Sequence, residues 1–594
     1  MNLPTHLATL EAWGLIHPVL SAAQVEYRFR HALVHEAAYS TLLKQDRREL
    51  HLAVGEVLEA AGPVAEETAP LLGYHFSEAG DKERASRYFA LAGAFAARKY
   101  AHREGLSYYS QAISAAAQPP AALFHARGQI YELQGFFEAA RQDFEHAAEV
   151  ARAAGDLPAE WQALLSLGLL WAGRDYDRSG EYCQMAFELA EKTGQPRLVA
   201  RSYNRLGNWH LNVERPREAA RCHDQALSIF EFLRDDAGMA ETLDLLGMSS
   251  MVGGDLARGV QYYQQAIDIN RRLGNQLALA HCLGSQVLAA GGGYQTMTLA
   301  PGPLAGTDLS EQGKQALRMD REVGWRDDES FVAMLIAAHG QSHGDYGLAF
   351  PHGQAGLAIA SEIGHRQWMA ANHYVLGNVD YDILALPQAI EHLEAGLALS
   401  RAIRSQHWVR CHAGMLLMAY AGSQALDRAA GVQSLVTGIR QPPQSIGERL
   451  VTYGQACLAR AQGDFQRALA VIDSAIVAAQ PVRPGEPPDP VPLLLLFRGG
   501  VYADLGQLDL AEADLRLGLA ASVAHGERPL VWRLRQALSG VLAQSGRPDE
   551  AAAELEKARA LVAELAAGVP DAALQENFRI RSGLFSENGP GVQT

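Results

Sequence analysis

The sequence predicts an all-α superhelical solenoid of helix-turn-helix units, and three observations carry that prediction. A short polar turn followed by a small residue that opens a helix recurs about every 40 residues, the signature of a repeat architecture. The clearest copies read GFFEAARQDFEHA from Gly135, ERPREAARCHDQA from Glu214, GDLARGVQYYQQA from Gly254 and GRPDEAAAELEKA from Gly546, with weaker ones near Arg174 and Ser423. Between the turns, apolar residues fall at helical three-and-four spacing. Apolar residues make up 48% and charged residues 20% of the 594, enough to bury a core along the whole chain.

The net charge of -16 argues against a phosphate backbone as the main partner, since nucleic-acid binding needs a concentrated cationic surface. Cys183, Cys222, Cys282, Cys411 and Cys457 are scattered with no CxxC pair, the pattern of reduced thiols in a cytoplasmic protein. No segment has the length and apolarity of a membrane span, and MNLPTHLATLEAWG lacks the layout of a signal peptide. A cytoplasmic protein without a membrane or nucleic-acid partner is therefore expected.

Taken in chain order, the first element stands apart. From Leu7 to Glu59 the sequence does not fit the repeat; it reads as a helix, a Gly-Leu-Ile turn, an extended YRF segment and helix again. The string YRFRHALVHEAAYSTLL, followed by Arg48 and Leu50-His51, resembles the end of the winged-helix region in bacterial signal-transducing P-loop ATPases. In that family the region joins an ATPase core to a sensor array. A phosphate-binding loop needs GxxxxGK[ST], whose glycine amides cradle phosphates and whose lysine neutralises them. None of Lys44, Lys82, Lys99, Lys192, Lys314 and Lys557 stands in that context, so this chain is not the ATPase itself.

The repeat follows. Tyr203, Leu206, Gly207 and Leu211 share one helical face, and Gly207 is small because a second helix must cross close to it. After the turn at Glu214-Arg215-Pro216, Ala219, His223 and Ala226 continue the stripe on that second helix. This pattern, with Leu246-Gly247 and Leu376-Gly377 repeating it, resembles the tetratricopeptide repeat. The usual unit of that family is about 34 residues, so the longer period here implies longer helices, as in the long-repeat sensor subgroup. The expected organisation is a winged-helix-like remnant at 1–62, a solenoid of about 12 units at 63–569 and a closing helix with tail at 570–594. Gly- and Pro-rich breaks are expected at 291–310, at QPPQS (441–445) and in a linker at 481–492. PDAALQENFRIRSG from Pro570 resembles the helix that closes such arrays.

His31, His35 and His51 near the start allow a metal to be imagined, but the resemblance implies that His31 and His51 are packing and polar-contact positions; around His339, His343 and His352 no nearby Asp or Glu completes a ligand set. Asp235-Asp236 and Asp327-Asp328-Glu329 sit at repeat junctions, where acidic residues favour the positive start of the next helix. No cysteine sits in a recognisable catalytic Cys-His context, and no catalytic residue, metal or cofactor is assigned. If first helices line the concave face, as the resemblance implies, residues flanking the Leu-Gly pair point inward. These are Arg201, Asn204 and Asn208 in one unit, Tyr374 and Asn378 in another, and His125 and Gln129 in a third. Amides carry both donor and acceptor, which suits an extended peptide backbone.

The expectation is thus a noncatalytic protein- or peptide-binding scaffold, the sensor or interaction half of a signal-transducing ATPase or transcriptional-regulator system, with a separately encoded P-loop ATPase as one partner. Two alternatives come from other classes. One is a DNA-binding regulator working through Arg28, Arg30, Arg47 and Arg48; the other is a metal-dependent hydrolase resting on the histidine clusters.

Overall fold

A computed structural model describes residues 3–20, 25–61, 66–290, 304, 306–478 and 490–585. These residues form an all-α fold with one two-stranded sheet, and the chain divides into two compact units, 1–130 and 131–594. Most of the expected break at 291–310, most of the linker at 481–492 and the tail from 586 lie outside the described residues.

In the first unit, helix Leu3–Ala12 leads into an antiparallel hairpin of Ile16–Leu20 and Val25–Phe29, in register Ile16 to Phe29. The extended YRF segment is therefore one half of a pair whose first strand, IHPVL, carries no alternation that would mark it in sequence. Helices Ala32–Thr41 and Lys44–Ala60 follow, then the first helix pairs. Phe76 stacks on Tyr88 at 5.6 Å between ring centres within a core of Leu72, Ala85, Phe89 and Tyr109. By contrast, neither Leu3–Ala12 nor Ala32–Thr41 buries a residue, and Trp13 is 72% exposed.

The second unit is a run of antiparallel helix pairs whose members are mostly 16 to 18 residues long, in keeping with the long period. Local chemistry sets their ends. Asp235 caps helix Asp236–Gly253 by accepting the Gly238 amide at 3.2 Å, and Gly254 stops it in the left-handed region at φ 92°. The Leu-Gly pairs mark the crossings. A Cβ on Gly207 would lie 2.4 Å from the His223 ring, and one on Gly247 would lie 2.8 Å from Tyr263. Only glycine lets the two helices of each pair approach that closely.

The array winds back on itself. Gln134 donates to the Gly324 carbonyl (3.2 Å), Tyr176 to Gln367 Oε1 (2.7 Å) and Arg449 to the Gly253 carbonyl (3.1 Å), joining residues 190, 191 and 196 apart in sequence. So regular a separation means that turns between helices on one coil rest against the starts of first helices about five repeats further along. The break near 441–445 starts earlier than the prolines suggest: helix Leu426–Gln433 is only 8 residues long, and irregular chain runs from Ser434 to Ser445. At the far end, helix Ala572–Arg581 buries Phe578 edge-on against Tyr346 and Trp532.

Candidate functional site

First helices of the second unit face inward and two of them are buried nearly all round. Helix Arg326–His343 is buried from Asp328 through Ser342, and helix Gln406–Gly422 at His407 and from Val409 through Ala421. A helix without a solvated face belongs to a core, so at this level the inside of the winding is packed and not an open polar groove.

Packing is incomplete at one place. A cavity of about 140 Å³ lies among six first helices and the short 3-10 turn Leu288–Ala290. Met248, Leu288 and Phe331 line one side, and Tyr374, Trp408 and Met415 another. Met334 and Met418 add flexible, polarisable thioethers, which let a wall adapt to different shapes. Met248, Leu288, Tyr374, Asn378, Trp408 and Ile446 are only half-buried, so this part of the wall reaches solvent.

The wall has few polar atoms and no charged side chain. Gln341 is engaged by the Asp382 carboxylate, and Asn378 donates to the Tyr374 carbonyl at 2.8 Å. His407 is 9% exposed, and burial pushes its imidazole down to about 4, so the ring is neutral. Its Nε2 lies 3.8 Å from Cys411 Sγ, whose thiol burial holds well above the ordinary range. A thiol that stays protonated can donate to Nε2, which leaves the ring proton on Nδ1. Among the described residues neither His407 Nδ1 nor the Trp408 indole N–H has a hydrogen-bond partner, and both atoms are buried.

The residues singled out by the repeat register are scattered over this geometry. Tyr374 and Asn378 sit on the cavity wall. Asn204 is fully buried and its amide donates to Thr242 Oγ1 at 2.9 Å, so it ties neighbouring units together and offers no surface to a ligand. Asn208 borders a much smaller cleft beside Trp209 and Arg205, while Arg201 is exposed. His125, which is buried, and Gln129, which is exposed, belong to the first unit. The cavity residues themselves have no polar register to betray them. Their one sequence signal is a first helix such as QHWVRCHAGMLLMAYAG, which lacks a polar face altogether.

The other clusters have structural partners. His51 bridges Tyr39 Oη and His75 Nδ1, each at 2.9 Å, while the His35 ring stacks on Tyr39. His339 packs on His343 with ring centres 4.3 Å apart, and His352 Nδ1 lies 2.9 Å from the Leu348 carbonyl. The acidic run divides its labour: Asp327 takes the Trp368 indole N–H, Glu329 takes Arg321 and Arg326, and Asp328 meets His281 Nδ1 at 2.5 Å. Burial works against a charged His281 ring, but the carboxylates of Asp328 and Asp244 raise it well above the ordinary value. Beside them Asp320 is fully buried, and burial together with the Asp328 charge pushes its carboxyl up to about 9. Among the described residues no group of three or more His, Cys, Asp or Glu side chains is arranged to hold a metal ion. The arginines of the N-terminal segment are partly occupied: Arg28 lies 3.6 Å from Glu26, Arg47 sits over the Tyr39 ring, and helix Ala32–Thr41 carries no lysine or arginine.

Residues 199–231 match the model of the tetratricopeptide repeat. Among solved structures, the apo form of RapI is similar at 14% identity and TM-score 0.34, over 48% of this chain and 97% of that one. The Rap conjugation gene regulator of plasmid pLS20, in complex with the Phr* peptide, is similar at 16% and 0.40, over 56% and 93%. A Signal Transduction ATPase with Numerous Domains protein with a tetratricopeptide repeat sensor, PH0952 from Pyrococcus horikoshii, is similar at 14% and 0.32, over 81% and 58%. No curated protein matches the sequence. The tetratricopeptide-type superhelix is read from the helix array and the matched repeat, and the five cysteines in it are free thiols. Among the described residues no helix is long and apolar enough to cross a membrane.

Proposed function

We propose that the chain is a cytoplasmic, noncatalytic receptor scaffold that binds a protein or peptide along the inner wall formed by its first helices. It serves as the sensor or interaction half of a signal-transducing ATPase or transcriptional-regulator system, with a separately encoded P-loop ATPase as a partner. The observation that supports this reading most is the half-open apolar cavity to which six first helices contribute, flanked by the amide of Asn378 and the ring of Tyr374. Apolar pockets with a few convergent polar groups are the usual form of a recognition site.

Peptides selected against the full chain from a random library test the reading. The selected peptides are expected to carry hydrophobic anchors. Asn378→Arg, which places a cation on the half-buried wall, is expected to weaken them about tenfold while leaving helicity and melting temperature unchanged. Peptides that bind this variant as tightly as the parent would place recognition elsewhere.

A further inference from the structure

A packed interior seldom leaves a void larger than a water molecule, because the lining atoms forfeit their contacts across it. The cavity on the inner wall departs from that rule: at about 140 Å³ it is close to the roughly 150 Å³ apolar cavity known to admit benzene. Water would fill it poorly, since a buried water needs two or more polar partners. No Lys, Arg, Asp or Glu is among the lining residues, Gln341 is engaged by Asp382, and the unpaired nitrogens of His407 and Trp408 are themselves buried. Four of the eleven methionines of the chain, Met248, Met334, Met415 and Met418, line this one space, so its wall can adjust to an apolar guest.

We propose that this cavity binds a small, uncharged, apolar molecule about the size of one ring, held by close contact and exclusion from water and not by hydrogen bonds. The inference rests on the reading of the inner wall as a binding surface and adds to it a second ligand, distinct in chemistry from a peptide. Tyr374 and Trp408, whose rings stand edge-on at 5.9 Å between centres, are both half-buried and mark the side from which the guest enters. Phe331, which is buried, adds an aromatic surface further in, and the thioethers pack favourably against a ring edge. A charged group taken into this space would leave water without meeting a counter-charge.

Toluene, benzoate and benzylamine test the assignment, because they share a ring and differ in charge. Binding to the full chain is followed by calorimetry and ligand-detected nuclear magnetic resonance. Toluene is expected to bind saturably, and benzoate and benzylamine at least about tenfold more weakly. Ala338→Leu, which extends a lining side chain into the space, should weaken toluene about tenfold with helicity unchanged. Met415→Ala, which enlarges the space, should raise the ratio of naphthalene to toluene affinity about fivefold, a change that lost stability alone would not produce. Absence of saturable toluene binding, a charged ring bound as tightly as toluene, or a folded variant that matches the parent would each overturn the proposal. The comparison of the three probes on the parent chain decides even if a variant fails to fold. Selected peptides that bind when toluene does not would remove the apolar site and leave the receptor reading standing, whereas failure of both would remove both.

Discussion

The guanidinium of Arg410 donates to the carboxylate of Glu214 across 196 residues of sequence, joining one coil of the array to the next at a site where both side chains are nearly dry. Ser445 and the Arg440 side chain reach the same residue, and Glu448 faces both arginines, so two buried carboxylates meet two guanidinium groups. Glu214 also holds a left-handed backbone at φ 62°, a conformation that costs a residue with a Cβ about 1–2 kcal/mol. The contact keeps this residue where a glycine would sit more easily.

Arg410→Met leaves Glu214 buried without its closest counter-charge, and a loss of about 3 kcal/mol in unfolding free energy is expected. Burial, opposed by Arg410, already pushes the Glu214 carboxyl up to about 7 from an unfolded value of 4.5. A carboxyl raised in the folded state takes up its proton there first, so its contribution to stability falls as pH rises from 4.5 through 7. The deficit of the variant should therefore deepen between pH 5 and pH 8. Denaturant unfolding at the two pH values checks this, and equal deficits at both would contradict it.

Gly207→Ala tests the close crossing of paired helices. Alanine would gain about 1 kcal/mol in helix propensity at an open site, yet here its Cβ meets the fully buried ring of His223. Overpacking should win, with a net loss of about 1–3 kcal/mol. Gly540, where an added Cβ meets nothing within 4 Å, is the control, and Gly540→Ala should stabilise or be neutral. Melting curves of the two variants separate the outcomes.

Asp320→Asn addresses the buried acidic cluster. With its folded carboxyl at about 9 against 3.8 unfolded, Asp320 binds a proton in the native state that the unfolded chain has released. Stability then declines as pH rises across that window, and a neutral amide removes the decline. The variant should match the parent near pH 4 and exceed it by on the order of 1 kcal/mol or more at pH 8. Thermal unfolding across pH 4 to 9 checks the prediction, and parallel curves would refute it.

Much of the fold is legible in the sequence because repeats announce themselves locally. The turn glycines, the capping aspartates such as Asp235 and the Leu-Gly crossings act within one unit or between neighbours, where spacing along the chain equals spacing in space. The inward site is not legible in that way. Asn204 has the register of a lumen residue but is consumed by Thr242 of the next unit, and a single-helix argument cannot register that neighbour. Contacts such as Tyr176 with Gln367 depend on the pitch of the winding, a property summed over many repeats. That pitch turns the first helices from groove-lining surfaces into a packed interior, so apolar side chains occupy places where an open groove would carry amides.

Hydrogen-deuterium exchange on the full chain, with and without a selected peptide, tests the receptor reading most directly. Slowed exchange in first helices Arg366–Asp382, Gln406–Gly422 and Ile446–Ala461 is the predicted result, with outer helix Leu386–Ala402 unchanged. Protection confined to Leu386–Ala402 and the other second helices, or to residues 1–130, would contradict the assignment of the inner wall as the binding surface.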